Sequence, residues 1–125
     1  MPRAEPSPIW KHEPDEHDFP AAAAYLSLLM LDDLAAVKVR MLRASPLTTR
    51  KAKDILRASG LPLLARDSPH VAADLEKIAA GERLSPCLVL RGRKGSPAVV
   101  ADGYHRVCAS YWTDENCDVP IVLAG

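Results

Sequence analysis

The segment Val99 to Val107 reads Val-Val-Ala-Asp-Gly-Tyr-His-Arg-Val, and it gathers Asp102, His105 and Arg106 within a few residues. A carboxylate, an imidazole and a guanidinium at this spacing suit phosphate chemistry. The guanidinium can grip a phosphate through two parallel N–H bonds. The carboxylate can hold magnesium or take a proton, and the imidazole can shuttle a proton. Asp102 and His105 are therefore the candidate catalytic pair, with Asp102 also the candidate magnesium ligand. Arg106 is the first candidate for holding an anion.

These side chains need a strand that stops and a helix that starts at once. Val99-Val100-Ala101 is an apolar run suited to a buried strand, and Gly103 opens a helical pattern with Tyr104, Val107, Cys108 and Tyr111 at i, i+3, i+4 and i+7. The first turn of a helix leaves N–H groups unpaired at the positive end of the dipole, where anions bind. The amides of Gly103 and Tyr104 join Arg106 in the phosphate site on this reading. The same dipole is expected to lower the pKa of His105. Plainer roles stay open: Asp102 as an N-cap, His105 as a partly exposed histidine, Arg106 paired with a carboxylate such as Glu82.

The rest of the chain supplies a support for this junction. Residues 1–18, rich in Pro, Glu, Asp and His, read as an extended or disordered acidic arm, with Trp10 as its anchor. Residues 19–60 read as helical. One helix starts near Pro20 with Ala22, Tyr25, Leu26 and Leu29 on a face. A second starts near Asp32-Asp33, burying Leu34, Val37 and Met41, and a third runs from Thr48 or Thr49 to Gly60. The last two loosely suggest a helix-turn-helix. Leu61-Pro62-Leu63-Leu64 reads as a short edge strand, and Ser68-Pro69 starts a helix that Gly81 closes. Cys87–Leu90 and Ala98–Ala101 read as a hairpin around the five-residue turn Gly92–Ser96, and Val119–Leu123 is the final strand. The fold class is α+β: N-terminal helices, then a small mixed sheet with helices packed on it.

Composition limits the function. Hydrophobic residues make up 48% of the chain and charged residues 26%, which suits one globular core. No apolar run approaches the ~20 residues of a membrane span, and the start lacks the apolar stretch of a secretory signal. The cytoplasm is the expected location, with no membrane partner. Cys87, Cys108 and Cys117 form no Cys-x-x-Cys pair, so neither zinc nor a disulfide is expected. Residues 1–33 hold seven acidic residues against two basic ones, whereas residues 38–57 hold seven basic ones against Asp54. Such a basic segment can contact DNA or form self-complementary surface. A homodimer is compatible with the sequence.

From about Leu61 to Leu123 the order of elements and three segments carry a resemblance. The segments are Gly81-Glu82-Arg83-Leu84-Ser85-Pro86, Asp102-Gly103-Tyr104-His105-Arg106 and Asp118-Val119-Pro120. Residues 61–125 thereby resemble the ParB/sulfiredoxin superfamily. In ParB proteins the first two segments line a nucleotide site, which implies Gly81, Glu82, Ser85, Gly103, Tyr104 and Arg106 as nucleotide-binding residues. It also implies CTP, ATP or ADP with magnesium as cofactor. Tyr104, His105 and Cys108 stand where the ParB motif has a glutamate and two basic residues. Tyr104 also replaces the sulfiredoxin cysteine, so the sulfur chemistry of that branch is not implied. The Asp-Gly-x-His-Arg form is most similar to the superfamily's free serine kinases. The expected function is a nucleotide- or phosphate-binding protein, extending to phosphoryl transfer or nucleotide hydrolysis. The alternative is a non-enzymatic DNA-associated or regulatory protein with a vestigial nucleotide site.

Overall fold

Cys87, Leu88, Val89 and Leu90 are all buried, although side chains along a strand alternate between two faces. A strand with no polar face must be covered on both sides. The computed structural model, which describes residues 6–125, shows this arrangement. In chain order its elements are β1 (Ile9–Trp10), α1 (Asp18–Leu26), α2 (Asp32–Ala44), β2 (Leu47–Lys51), α3 (Ala52–Ser59), α4 (Pro69–Ala79), β3 (Arg83–Leu84), β4 (Cys87–Leu90), β5 (Val99–Asp102), α5 (Tyr104–Thr113) and β6 (Asp118–Ala124). The class is α+β. Five helices accompany a mixed four-stranded sheet of order β2-β6-β4-β5 and a small parallel pair, β1-β3.

Alternation along the strands divides the core into two. Cys87, Val89, Val100, Val119 and Ile121 meet apolar residues of α3, α4 and α5 on one face. Leu88, Leu90, Ala101, Val122 and Ala124 meet Phe19, Ala22, Leu26, Ala35, Val39 and Leu42 of α1 and α2 on the other. β6 runs antiparallel to β2 and parallel to β4. Its pairing with β4 begins at Ile121, one residue past Pro120, whose missing N–H could not serve a full ladder. No helix among the described residues is long and apolar enough to cross a membrane.

Several sequence expectations are corrected. The third helix does not start at Thr48 or Thr49, because residues 47–51 form β2 inside the part read as helical, 19–60. The free side of β6 offers five residue pairs from Leu47–Val122 to Lys51–Asp118, and the β-branched Thr48 and Thr49 suit a strand. The helix-turn-helix reading loses its basis with that strand. Leu61–Leu64 is irregular. The carbonyls of Pro62 and Leu64 accept from Tyr104 Oη (2.5 Å) and Trp112 Nε1 (2.8 Å) of α5, which replace ladder partners. The β4–β5 connection is residues 91–98, longer than the turn expected.

The arm is ordered from Pro6 onward, and residues 1–5 of the arm lie outside the described residues. Ile9 and Trp10 pair with Arg83 and Leu84, and Trp10 packs against the α3–α5 core. α1 runs from Asp18, rather than Pro20, to Leu26; Tyr25 on it and Leu29 in the turn beyond it are exposed. α2 buries Ala35, Val39 and Leu42 and half-buries Met41 against the same core, whereas Leu34 and Val37 are exposed. The small Ala35 lets the helix lie close on the sheet.

The covered sheet carries a direct expectation for its centre. Leu88 is fully buried on β4, so Leu88→Ala should lower unfolding free energy in urea by about 2–5 kcal/mol without changing the slope.

Candidate functional site

The strand-to-helix junction forms where the sequence places it. β5 ends at Asp102, Gly103 takes φ +107°, and α5 starts at Tyr104. That backbone favours glycine, and space demands it too. A β-carbon on Gly103 would stand 2.5 Å from Cys87 Sγ and 2.8 Å from Cys87 Cβ. Complete burial pushes the Cys87 thiol up to about 12, so it is an inert packing group. All three cysteines are free thiols, and only Cys117 is not buried.

Arg106 lies within the first turn of α5 with its side chain only 14% exposed. Nη1 donates to the Ser85 carbonyl at 2.6 Å and reaches Asp18 Oδ2 at 3.4 Å. Nη2 donates to Asp102 Oδ2 at 2.5 Å. The Ser85 hydroxyl donates to Asp18 Oδ2 at 2.5 Å and accepts from the Asp15 N–H at 2.9 Å. Three stretches distant in sequence thus meet at one guanidinium: the arm with the start of α1, the residue before β4, and the β5–α5 junction. Glu82 is not its partner, and Asp102 pairs with Arg106 instead of capping α5. Burial raises the pKa of Asp102. The Arg106 charge pulls it back down, and nearby Asp18 adds to the rise.

His105 and Tyr104 turn the other way. The His105 ring lies 4.8 Å from the ring of His70 on α4 and 5.6 Å from that of Tyr104. Its pKa is lowered as expected, by burial first and by the neighbouring His70 next. The structure therefore does not bring Asp102 and His105 together as an acid–base pair. Gly81 closes α4 at φ +75°: its N–H bonds to Ile78 O, and the Glu82 N–H bonds to Lys77 O.

A cleft of about 360 Å³ opens above Arg106, bounded by the arm, α4 and residues 82–85. Its carboxylates are Asp15, Asp18, Asp74 and Glu82, and its cations Lys11, Lys77, Arg83 and Arg106, with His17 beside them. Of the residues expected to bind nucleotide, it receives Glu82, Ser85 and Arg106; Gly81, Gly103 and Tyr104 stand outside it. Asp15, His17 and Asp18 each offer one ligand atom, and these atoms lie within 4.8 Å of one another, so this group could hold a metal ion. Asp102, the ligand expected from the sequence, is engaged by Arg106. Sequence reasoning missed Lys11, Asp15, His17, Asp18, Asp74 and Lys77. The usable signal was an arginine beside buried strands, which demands carboxylates from elsewhere.

The basic segment is distributed over α2, β2 and α3, and part of it is neutralised within the chain. Arg43 pairs with Glu16 of the acidic arm at 2.7 Å and lies over the Phe19 ring, and Lys51 pairs with Asp118 at 2.7 Å. Compared with known proteins, the chain matches no family model, no curated protein and no solved structure.

Removing Arg106 leaves two half-buried or buried carboxylates without their cation. Arg106→Met should therefore cost about 3–5 kcal/mol in urea unfolding, whereas Asp102→Asn, which keeps an acceptor, should cost much less. The lowered pKa of His105 sets a pH dependence. The folded chain resists protonation, so this contribution is present above the ordinary value of 6.5 and lost as pH falls below it. Melting temperatures between pH 7.5 and 5.5 should fall more steeply for the native chain than for His105→Gln.

Proposed function

We propose that the chain is a cytoplasmic protein that binds a nucleotide or related phosphate ester, as its complex with magnesium, in the cleft above Arg106. The observation that carries this reading is the set Lys77 and Arg83, with Lys11 held by Asp15 at 2.7 Å, around the same cleft that holds Asp15, His17 and Asp18. The four carboxylates and four cations of the cleft cancel, so a bare polyanion gains little net attraction there. A magnesium complex is a better fit. Its cation would take carboxylate oxygens of Asp15 and Asp18, and its phosphates would take the amines and guanidinium at the rim. The cleft volume is within the ~300–1,000 Å³ usual for small-molecule sites. The resemblance of residues 61–125 to the ParB/sulfiredoxin superfamily supports the same place, because its first two segments meet at the Arg106–Ser85 bond. Phosphoryl transfer or nucleotide hydrolysis would fall to groups in the cleft, since His105 faces α4.

One observation favours the second reading, a DNA-associated or regulatory protein with a vestigial site. Arg106 is already engaged by the chain's own Asp18, Asp102 and Ser85.

Thermal denaturation with CTP, ATP, ADP and GTP, with and without magnesium, separates the two. Binding should require magnesium and add about 2.7 kcal/mol at a hundredfold excess over Kd. Lys77→Ala combined with Arg83→Ala should abolish the gain while leaving the unliganded melting temperature unchanged. No shift with any nucleotide overturns the proposal. DNA affinity that falls steeply with salt would instead favour the second reading.

A further inference from the structure

The outer face of α2 is apolar where water should favour polar residues. Among the described residues, six of the eight exposed large hydrophobics lie between Tyr25 and Val37: Tyr25, Leu28, Leu29, Leu31, Leu34 and Val37. Leu34 and Val37 are 40% and 39% exposed and Leu31 is 84% exposed. Leu34, Val37 and Met41 fall at i, i+3 and i+7, the spacing of the seam along which two helices pack as a coiled coil. α2 is thus apolar on two sides, with Ala35, Val39 and Leu42 turned to the sheet, Leu34 and Val37 exposed on the other side, and Met41 half-buried against the α1–α2 core at the end of the seam.

The flanking charges say what fits the seam. Asp33 precedes Leu34 and Arg40 precedes Met41, so both lie on the same flank, seven residues apart. Among the described residues neither has an ion-pair partner within the chain. In two helices packed antiparallel, residues of like flank face each other. Asp33 of one copy then meets Arg40 of the other, and the twofold axis near Val37 repeats the pair. Opposed helix dipoles favour the same orientation.

We propose that the chain forms a symmetric homodimer through antiparallel packing of its α2 helices, with Leu34 and Val37 as the seam, the accessible part of Met41 at its end, and two Asp33–Arg40 pairs closing one edge. The proposal is independent of the nucleotide reading, because α2 covers the sheet face away from α4 and α5.

Sedimentation equilibrium of the purified chain should show a dimer. Val37→Glu should give a monomer with its circular dichroism unchanged. Asp33→Arg sets arginine against arginine and should weaken the dimer about tenfold or more. Adding Arg40→Asp to that variant should restore it. The rescue fixes the orientation, because a parallel pair would set Asp33 against Lys38 and gain nothing from the second change. A native chain that stays monomeric, a dimer that survives Val37→Glu, or a double variant no tighter than Asp33→Arg would each overturn the proposal.

Discussion

A buried guanidinium must be given its counter-charge by the fold, and Arg106 receives it from residues 88 and 4 positions away, Asp18 and Asp102. Taking such a charge out of water costs several kcal/mol unless its partners are fixed and hydrogen-bonded. The remaining geometry follows from that requirement. Asp18 is held at the start of α1 by the Ser85 hydroxyl, and Ser85 is held in turn by the backbone of Asp15. The arm, α1, the entry to β4 and the start of α5 are therefore positioned together. The elevated pKa of Asp102 comes first from its burial, with the second carboxylate, Asp18, adding to the rise.

The same network shapes what the site can accept. A phosphate arriving at Arg106 meets carboxylates already in place, so the inner position is filled by the chain itself. In the outer ring Lys11 is paired with Asp15 at 2.7 Å and Arg83 reaches the Trp10 carbonyl at 3.3 Å, while Lys77 has no ion-pair partner among the described residues; the group of Asp15, His17 and Asp18 lies beside them. The cleft thus presents a mixed pattern of charge, and on the proposed reading that favours a ligand carrying both signs over a simple polyanion.

How much was legible in the sequence depended on how local the determinants were. Cys87–Leu90, Val99–Asp102 and the start of α5 were readable because unbroken apolar runs and Gly103 act over a few residues. β2 was not, since Thr48 and Thr49 can begin a helix or extend a strand, and the choice is made by β6, some seventy residues away. α2 misled because it carries two apolar stripes, and Leu34, Val37 and Met41 outweigh Ala35 in any count of hydrophobicity. The arm looked too polar to fold. Its order comes from Trp10 and Asp18 finding partners at Leu84 and Arg106, which composition does not show. Of the site, Asp102, Arg106, Glu82 and Ser85 were identified, and the contribution of residues 11–18 was not.

The position of β6 bears on how the molecule comes into being. The last strand of the sequence lies between β2 and β4 and is the only link between them in the sheet. Until residues 118–124 are available, β2 has no strand to pair with, and β4 and β5 form a two-stranded hairpin separate from it. Closure of the sheet then joins segments some seventy residues apart, the slow kind of event that non-local pairing imposes.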